Sequence, residues 1–160
     1  MAHSKFNAEV LTPEGEVFNG EVEMLSSRTM VGEIGVLANH APLLATLDPA
    51  ELRLHLSESE VKRYAQSEGY LQIFANRALV LVEECVEPSE VDRDAQRERL
   101  RKAEETIKNI ELAAVLKRVR EARTSEERDE ARRLTAEYEH AVADRRRAET
   151  FLRLAGESVE

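Results

Sequence analysis

The side chains that could carry out chemistry are few, and their spacing does not fit a catalytic or metal site. Cys85 could act as a nucleophile only as a thiolate, but Glu83 and Glu84 beside it disfavour that negative charge. The histidines show none of the spacings typical of metal ligands; they are His3, His40, His55 and His140. The residues therefore predict no catalytic residue, no metal site and no cofactor.

A second candidate is the stretch GEIGVLANHAPLL, residues 32–44. It contains two closely spaced glycines but lacks the later glycine and the lysine of a phosphate-binding loop. The glycines permit a sharp turn between a strand and a loop. Two interpretations remain open: the segment is a well-packed turn, or it is a rigid loop that presents Glu33 and His40 to a partner.

A third candidate is the basic run Arg145-Arg146-Arg147. Its permanent positive charges could bind an anion or an acidic partner. Asp144 and Glu149 lie close to the run, however, so it is equally well interpreted as a solvated face of a helix.

The composition limits the class of protein. The 160-residue chain carries a net charge of −9, whereas binding to nucleic acid or to an anionic membrane needs a basic surface. A single cysteine excludes an intramolecular disulfide. No window has the roughly 18 apolar residues of a membrane span, and the start lacks the apolar core of a signal peptide. We therefore expect a soluble intracellular protein, which could still contact a membrane complex as a peripheral subunit.

Turn-forming residues and charge divide the chain into two halves. All four prolines and five of the six glycines lie before residue 89. Residues 1–88 carry 6 Lys and Arg against 14 Asp and Glu, while residues 89–160 carry 17 against 18. We expect one domain of residues 1–88 and a second of residues 89–160, with the boundary within Glu87–Asp92.

The pattern of the first half is typical of short β-strands. Apolar and polar residues alternate in three segments, FNAEV (6–10), LRLHL (52–56) and GYLQIFA (69–75). Asn19-Gly20 predicts a tight turn between two apolar runs. ALVLV (78–82) is continuously apolar, like a strand that is buried on both sides. Short strands at close spacing predict an antiparallel β-sandwich or a flattened barrel.

The pattern of the second half predicts two helices. Ser89 with Asp92, and Thr124 with Glu127, have the spacing of capping boxes that start them. Apolar residues then recur at spacings of three and four: Leu100, Ala103, Ile107, Ile110 and Ala114 in the first helix, and Ala131, Leu134, Tyr138, Ala141, Ala148, Leu152 and Ala155 in the second, interrupted by Arg145. Two such helices predict an antiparallel hairpin, so the fold class is α+β. The alanine-rich seam buries little area, and the hairpin is expected to be marginally stable alone.

Taken together, these segments resemble the epsilon subunit of F-type ATP synthases. GEIGVLANHAPLLATL (32–47) is similar to a signature loop of that family, GE(I/L)G(I/V)-x-x-x-HAPLL. AEVLTPEGEVFNGEVEML (8–25) is similar to the opening hairpin, and EVDRDAQRERLRKAEETI (90–107) to the first helix of the C-terminal hairpin. The resemblance covers nearly the whole chain, and the loop is its most specific part.

The resemblance implies a non-catalytic part of a rotor. In this family the β-sandwich binds the gamma subunit of the central stalk and sits on the membrane-embedded c-ring. The helical hairpin folds on the sandwich or extends into the alpha/beta catalytic head, where it blocks ATP hydrolysis. By position, Glu33 and His40 would lie on the stalk and c-ring side, and Arg145, Arg146 and Arg147 would contact the head.

The same resemblance implies a function and a location. The protein would couple proton-driven rotation of the c-ring to ATP synthesis. It would lie peripherally on the cytoplasmic side of an energy-transducing membrane, a bacterial cell membrane, and touch that membrane only through the complex.

The sequence departs from the family where some members bind ATP. Those members use a first-helix motif, (I/L)DxxRA, together with arginines of the second helix. Here Ala95 stands at the position of the motif arginine, and His140 and Asp144 fall where second-helix arginines would be. We therefore expect weak or absent ATP binding. The hairpin is also longer than usual, with additional charged residues around RVREARTSEERDE (118–130).

A protein of another class would have the same two halves. A free-standing β-sandwich adaptor with a coiled-coil dimerisation arm explains them equally well. It does not explain the HAPLL segment.

Overall fold

The structure is a computed structural model that describes residues 4–110 and 112–159, including all of their side chains except those of residues 112–115. The strands in this part are β1 (Phe6–Thr12), β2 (Gly15–Val22), β3 (Met24–Thr29), β4 (Gly32–Leu37), β5 (Leu43–Leu47), β6 (Ala50–His55), β7 (Val61–Gln66), β8 (Gly69–Phe74), β9 (Arg77–Val82) and β10 (Cys85–Val86). The helices are α1 (Arg93–Asn109), α2 (Leu112–Glu121) and α3 (Ser125–Leu154). The α+β class is confirmed.

The strands form one continuous sheet that folds over on itself into a nearly closed sandwich. Their order is β10-β7-β6-β3-β5-β8-β9-β1-β2, with β4 paired to β3 outside this path. β3 and β5 share a single residue pair, Thr29 with Leu47, and this pair joins a first layer, β10-β7-β6-β3-β4, to a second layer, β5-β8-β9-β1-β2. The strand pairs run antiparallel, as predicted, except that β1 and β9 are parallel.

Both layers enclose one hydrophobic core. Alternate residues of β1, β3, β6, β8 and β9 are buried, as the period-two pattern predicts. The side chains of Leu25, Leu52 and Leu54 from the first layer and of Leu71 and Val80 from the second are fully buried. The interior of the sandwich therefore depends on the register of these strands, because a slip of one residue would turn every one of them outward.

The tight turn predicted at Asn19-Gly20 is wrong. Both residues lie inside β2, where Gly20 pairs with Ala8 of β1. The side-chain amide of Asn19 donates to a carboxylate oxygen of Glu16 at 3.0 Å. The chain turns instead at Pro13-Glu14, and Gly15 follows with φ of +138°, a conformation that glycine adopts without strain. Proline and glycine around one acidic residue form the stronger turn.

The first predicted helix is two helices in the structure. α1 ends at Asn109, and Ile110 has an extended backbone with ψ of 94°. The apolar stripe from Leu100 to Ile110 therefore precedes this break. Ala114, which the pattern placed on the same stripe, belongs to α2, and its side chain lies outside the described residues.

One of the two predicted capping boxes is confirmed. The Glu127 amide donates to the Thr124 hydroxyl at 3.2 Å, and the Thr124 amide donates to the Glu127 carboxylate at 3.0 Å. The box at Ser89 is wrong, because that residue lies in a single 3-10 turn, Pro88–Glu90. Asp92 is itself the N-cap of α1, since its carboxylate accepts the Ala95 amide at 3.0 Å.

The contacts divide the chain into two compact units. One contains the residues up to Val91 together with those from Thr150 onward, and the other contains residues 92–149. The end of α3 therefore belongs with the sandwich. Within the second unit, the buried apolar residues of the described helices are small; they are Ala103, Ala131, Ala141 and Ala148. The division at residue 88 stays a prediction about independent folding.

Gly69→Ala is expected to lower the free energy of unfolding by about 1–3 kcal/mol or more, the usual cost of overpacking. A Cβ at Gly69 would lie 2.8 Å from a methyl carbon of Val82 and would press on the Leu81 carbonyl of the paired strand. Chemical denaturation followed by circular dichroism measures the change.

Gly35→Ala is the matched control for this substitution. Its Cβ would meet only the flexible end of Met24, at 3.2 Å, which can move aside. Equal losses of stability in the two variants would show that the close approach of β8 and β9 at Gly69 does not require glycine there.

Candidate functional site

The outer face of the second layer carries large apolar side chains in contact with solvent. Leu44 is 71% exposed, Phe74 65%, Tyr70 55% and Leu81 42%. The strand registers place them on one surface, because Tyr70 pairs with Leu81, and Leu44 pairs with Gln72 between Tyr70 and Phe74. We call Leu44, Tyr70, Phe74 and Leu81 the apolar face. Contiguous apolar patches of this kind mark sites of protein interaction on soluble proteins.

The prediction that β9 is buried on both sides is wrong, because one side of β9 belongs to the apolar face. ALVLV (78–82) is predicted to be buried on both sides, but only Ala78, Val80 and Val82 are buried, whereas Leu81 is exposed. β9 lies between β8 and β1 with its backbone paired on both edges. Within the described residues, nothing covers the outer side chain of Leu81, and a partner could supply that cover.

A groove of about 630 Å³ opens at one end of the apolar face. Its walls come from the end of β1, the start of β8 and the end of β9, and the residues that line it include Leu11, Pro13, Tyr70, Leu81, Glu68 and Glu83. An apolar floor with acidic residues among its walls favours an apolar partner segment that also carries basic residues.

The structure does not bring Glu33 and His40 together. The GEIG part of the predicted loop forms β4, with the exposed Glu33 near its start, opposite Arg28. His40 follows a turn after the other end of the strand, where its amide donates to the Leu37 carbonyl at 3.2 Å. Four residues of extended chain separate Glu33 from Leu37, or roughly 13 Å. The two side chains therefore lie towards opposite ends of β4.

The turn that carries His40 is held by a neighbouring turn. The Asn39 amide donates to the Asn76 side chain at 2.7 Å, and Asn76 lies in the two-residue connection between β8 and β9. Ala75 and Asn76 both have positive φ, at 48° and 59°, as tight hairpin connections require. The His40 ring nitrogen Nδ1 lies 2.8 Å from the Ala41 carbonyl oxygen. The segment is thus both well packed and presented at the surface.

The opposite end of β4 carries an apolar tip. Met30 and Val31 connect β3 to β4, and Val31 is 97% exposed. The Thr29 hydroxyl fixes the connection by donating to the Gly32 carbonyl at 2.8 Å. Glu33 follows this tip directly.

The three arginines of the basic run have different environments. Arg146 is exposed, whereas Arg147 is buried. Arg145 is half-buried, and its Nε lies 3.3 Å from a carboxylate oxygen of Glu149. In this conformation, Arg146 is the most exposed of the three.

Cys85 lies in the core of the sandwich. Burial raises the pKa of its thiol to about 12, so the thiol is neutral at physiological pH. Within the described residues, no group of three or more His, Cys, Asp and Glu side chains is arranged to hold a metal ion. None of the helices in that part is long and apolar enough to cross a membrane.

Comparison with known proteins assigns the fold. Residues 5–88 match the family model for the β-sandwich domain of the ATP synthase delta/epsilon chain. The ATP synthase epsilon chain of Sulfurihydrogenibium sp. is 32% identical over 154 residues, which cover 96% of this chain and 99% of that protein. The chain belongs to the ATP synthase epsilon-chain family. This membership removes the main support for a free-standing adaptor.

A second relative and a solved structure show the same likeness. The ATP synthase epsilon chain of Persephonella marina is 39% identical over 107 residues, covering 67% of this chain and 79% of that protein. A chain in the solved OSCP/F1/c-ring structure of the Euglena gracilis mitochondrial ATP synthase superposes with a TM-score of 0.56. It is 17% identical, and the alignment covers 86% of this chain and 79% of that one, so the likeness shows a shared fold.

Sequence reasoning did not single out the apolar face of this epsilon-family chain. The available signal was ALVLV, in which the residues on both faces of the strand are apolar, so that cover is implied on both sides. The exposed aromatic residues Tyr70 and Phe74 lie on the face of an alternating strand where polar residues are expected, so they break the pattern.

Cys85 of the native chain should resist a thiol reagent at pH 8, because its pKa of about 12 leaves almost no thiolate and burial blocks access. An exposed cysteine made by Val31→Cys in a Cys85→Ala background is the control and should react completely. Fast labelling of the native protein would contradict the assigned burial.

The raised pKa of Cys85 also predicts how stability depends on pH. The folded state holds the proton up to about pH 12, while the unfolded thiol releases it near pH 9. The contribution of this group is therefore complete below pH 9 and is lost as the pH rises towards 12. Cys85→Ala should reduce the loss of stability over that range.

Proposed function

We propose that this chain is a non-catalytic central-stalk subunit of an F-type ATP synthase, and that it couples c-ring rotation to ATP synthesis. The observation that carries the proposal is the apolar face, which gives the sandwich a surface that needs a permanent partner. Membership of the epsilon-chain family supports the gamma subunit as that partner.

The composition of the apolar face suits a stable interface. Tyr70 and Phe74 provide large rigid contacts of the kind that dominate binding energy. Leu44 and Leu81 extend the contact across β5 and β9. Covering one such side chain completely contributes about 1.5–3 kcal/mol, so several together can hold two subunits during rotation.

The opposite ends of the sandwich are proposed to face different neighbours. The tip at Met30 and Val31, with Glu33 beside it, is proposed to contact the c-ring, because an exposed apolar tip gains from being covered. The His40 turn is proposed to lie against the stalk. Bacterial relatives such as those of Persephonella marina and Sulfurihydrogenibium support a peripheral position on the cytoplasmic side of a bacterial membrane, reached through the complex.

The helical hairpin of residues 89–160, which we call the arm, is proposed to inhibit ATP hydrolysis by engaging the alpha/beta catalytic head. Arg146 is the exposed member of the basic run in the described conformation. Arg145 and Arg147 would become available only if their present surroundings change, because Arg145 lies beside Glu149 and Arg147 is buried. A change in packing of the arm would therefore increase its accessible positive charge.

Weak or absent ATP binding remains part of the proposal. The Asp92 carboxylate already accepts the Ala95 amide, which ties it to the start of α1. The His140 Nε2 lies 3.3 Å from an Asp144 carboxylate oxygen, so the two residues at the second-helix positions face each other. Neither residue provides the permanently charged fork with which arginine binds phosphate.

Leu44→Glu and Phe74→Glu should each weaken binding to the purified gamma subunit at least thirtyfold, roughly the effect of losing one interface hot spot. Both side chains point to solvent, so the sandwich should keep its β-sheet circular dichroism. Isothermal titration calorimetry measures the dissociation constants.

Leu116→Glu is the matched control, because Leu116 is a 55% exposed leucine on α2. It should bind gamma like the wild type. If all three variants bind normally, the apolar face is not the gamma interface and the central proposal fails.

Arg146→Ala should raise steady-state ATP hydrolysis by the inhibited complex by no more than about fivefold, since one exposed ion pair contributes roughly 0–1 kcal/mol. The effect should shrink at high salt. Arg153→Ala, an exposed arginine on the same helix outside the run, serves as the control. A larger effect from Arg153→Ala would place the contact with the head elsewhere on α3.

A further inference from the structure

The connection between β4 and β5 is tied to a turn in a distant part of the sandwich. Residues 38–42, which we call the crossing segment, lead from the first layer to the second. The Asn39 backbone amide donates to the side-chain oxygen of Asn76 at 2.7 Å, across 37 residues of chain. The other bonds described for this segment outside the strand ladders are local, because His40 bonds to Leu37 and Ala41. We call the hydrogen bond between Asn39 and Asn76 the clamp.

The turn that supplies the acceptor of the clamp consists of two residues in the left-handed region, Ala75 and Asn76. Asparagine tolerates this backbone conformation better than most residues with a side chain. Glycine would suit the second position of such a turn at least as well, but it has no side-chain oxygen. Asn76 therefore combines the conformation that the turn needs with the acceptor that the clamp needs.

The clamp joins two parts of the surface that is proposed to contact gamma. Phe74 of the apolar face is the last residue of β8 and stands directly before the turn. His40 follows Asn39 in the crossing segment, and Leu44 of the apolar face lies at the start of β5 directly after that segment. The clamp thus fixes the His40 turn at the end of the sheet that carries Leu44 and Phe74.

We propose that Asn76 is a positioning residue for the gamma interface, which acts through Asn39 to hold the crossing segment in its binding conformation. The inference deepens the proposed function and rests on gamma covering the apolar face and the His40 turn. A segment that is ordered before it binds loses less conformational entropy on binding. Asn76 acts in this way on the free subunit and needs no contact of its own with gamma.

The test is the kinetics of binding to purified gamma, measured by surface plasmon resonance with the full chain. Asn76→Gly keeps the left-handed turn and removes the acceptor of the clamp. It should lower the association rate constant roughly three- to tenfold, the range that one hydrogen bond supports. The dissociation rate constant should stay within about twofold of wild type, because the loss of a pre-ordered conformation lowers only the fraction that is competent to bind.

Two variants of the same turn are the controls. Asn76→Asp keeps an acceptor oxygen and tolerates the left-handed backbone, so its association rate should match that of the wild type. The comparison is made at high salt, which screens the added charge. Ala75→Gly changes the neighbouring residue and leaves the clamp in place, so it should also match. Chemical denaturation should show Asn76→Gly close to wild type in stability, because glycine favours this turn and offsets the lost bond.

The possible results separate this inference from the proposed interface. A raised dissociation rate constant for Asn76→Gly would show that Asn76 itself contacts gamma and would overturn the positioning role. Equal slowing by Asn76→Asp or Ala75→Gly would overturn it too, because the clamp would then not be the cause.

Phe74→Glu, measured alongside, tests the apolar face independently. Wild-type rates for Asn76→Gly with weak binding by Phe74→Glu would overturn the positioning role and keep the interface. Wild-type rates for both would overturn both. Slower association of Asn76→Gly with normal binding by Phe74→Glu would keep the positioning role and assign the contact with gamma to the His40 turn alone.

Discussion

Strand β9 is apolar on both faces, and the described chain covers only one of them. It cannot lie at an edge, because β8 and β1 pair with it on either side, and Gly69 lets β8 approach closely at its end. Val80 and Val82 turn inward and help to build the core, so Leu81 must turn outward. The same strand therefore builds the interior of the sandwich and its apolar face. Any change to its register would disrupt both.

The two layers of the sandwich differ in what covers their outer faces. On the first layer, the end of α3 covers Ala65 of β7 through Phe151. On the second layer, the apolar face is open within the described chain. A broad apolar surface with exposed aromatic residues suits a stable partner interface.

Local signals in the sequence succeeded where short-range chemistry decides the structure. The Thr124 and Glu127 capping box forms as predicted, because its hydrogen bonds join residues three apart. The turn predicted at Asn19-Gly20 does not form, because long-range pairing of β2 with β1 outweighs a local turn preference. α1 ends before Ile110 with no proline or glycine beside it, so no local signal in the sequence predicts this end.

The sequence by itself determined the α+β class, the inward-facing residues of most strands and, through the HAPLL segment, the family. These depend on alternation, composition and a contiguous motif, all of which are local properties of a chain. Only the tertiary structure decided that Glu33 and His40 lie apart, that Arg147 is buried while Arg146 is exposed, and that Phe151 meets Ala65 and Val91. Each of these depends on which distant segments pack together, and a residue type carries no information about its distant neighbour.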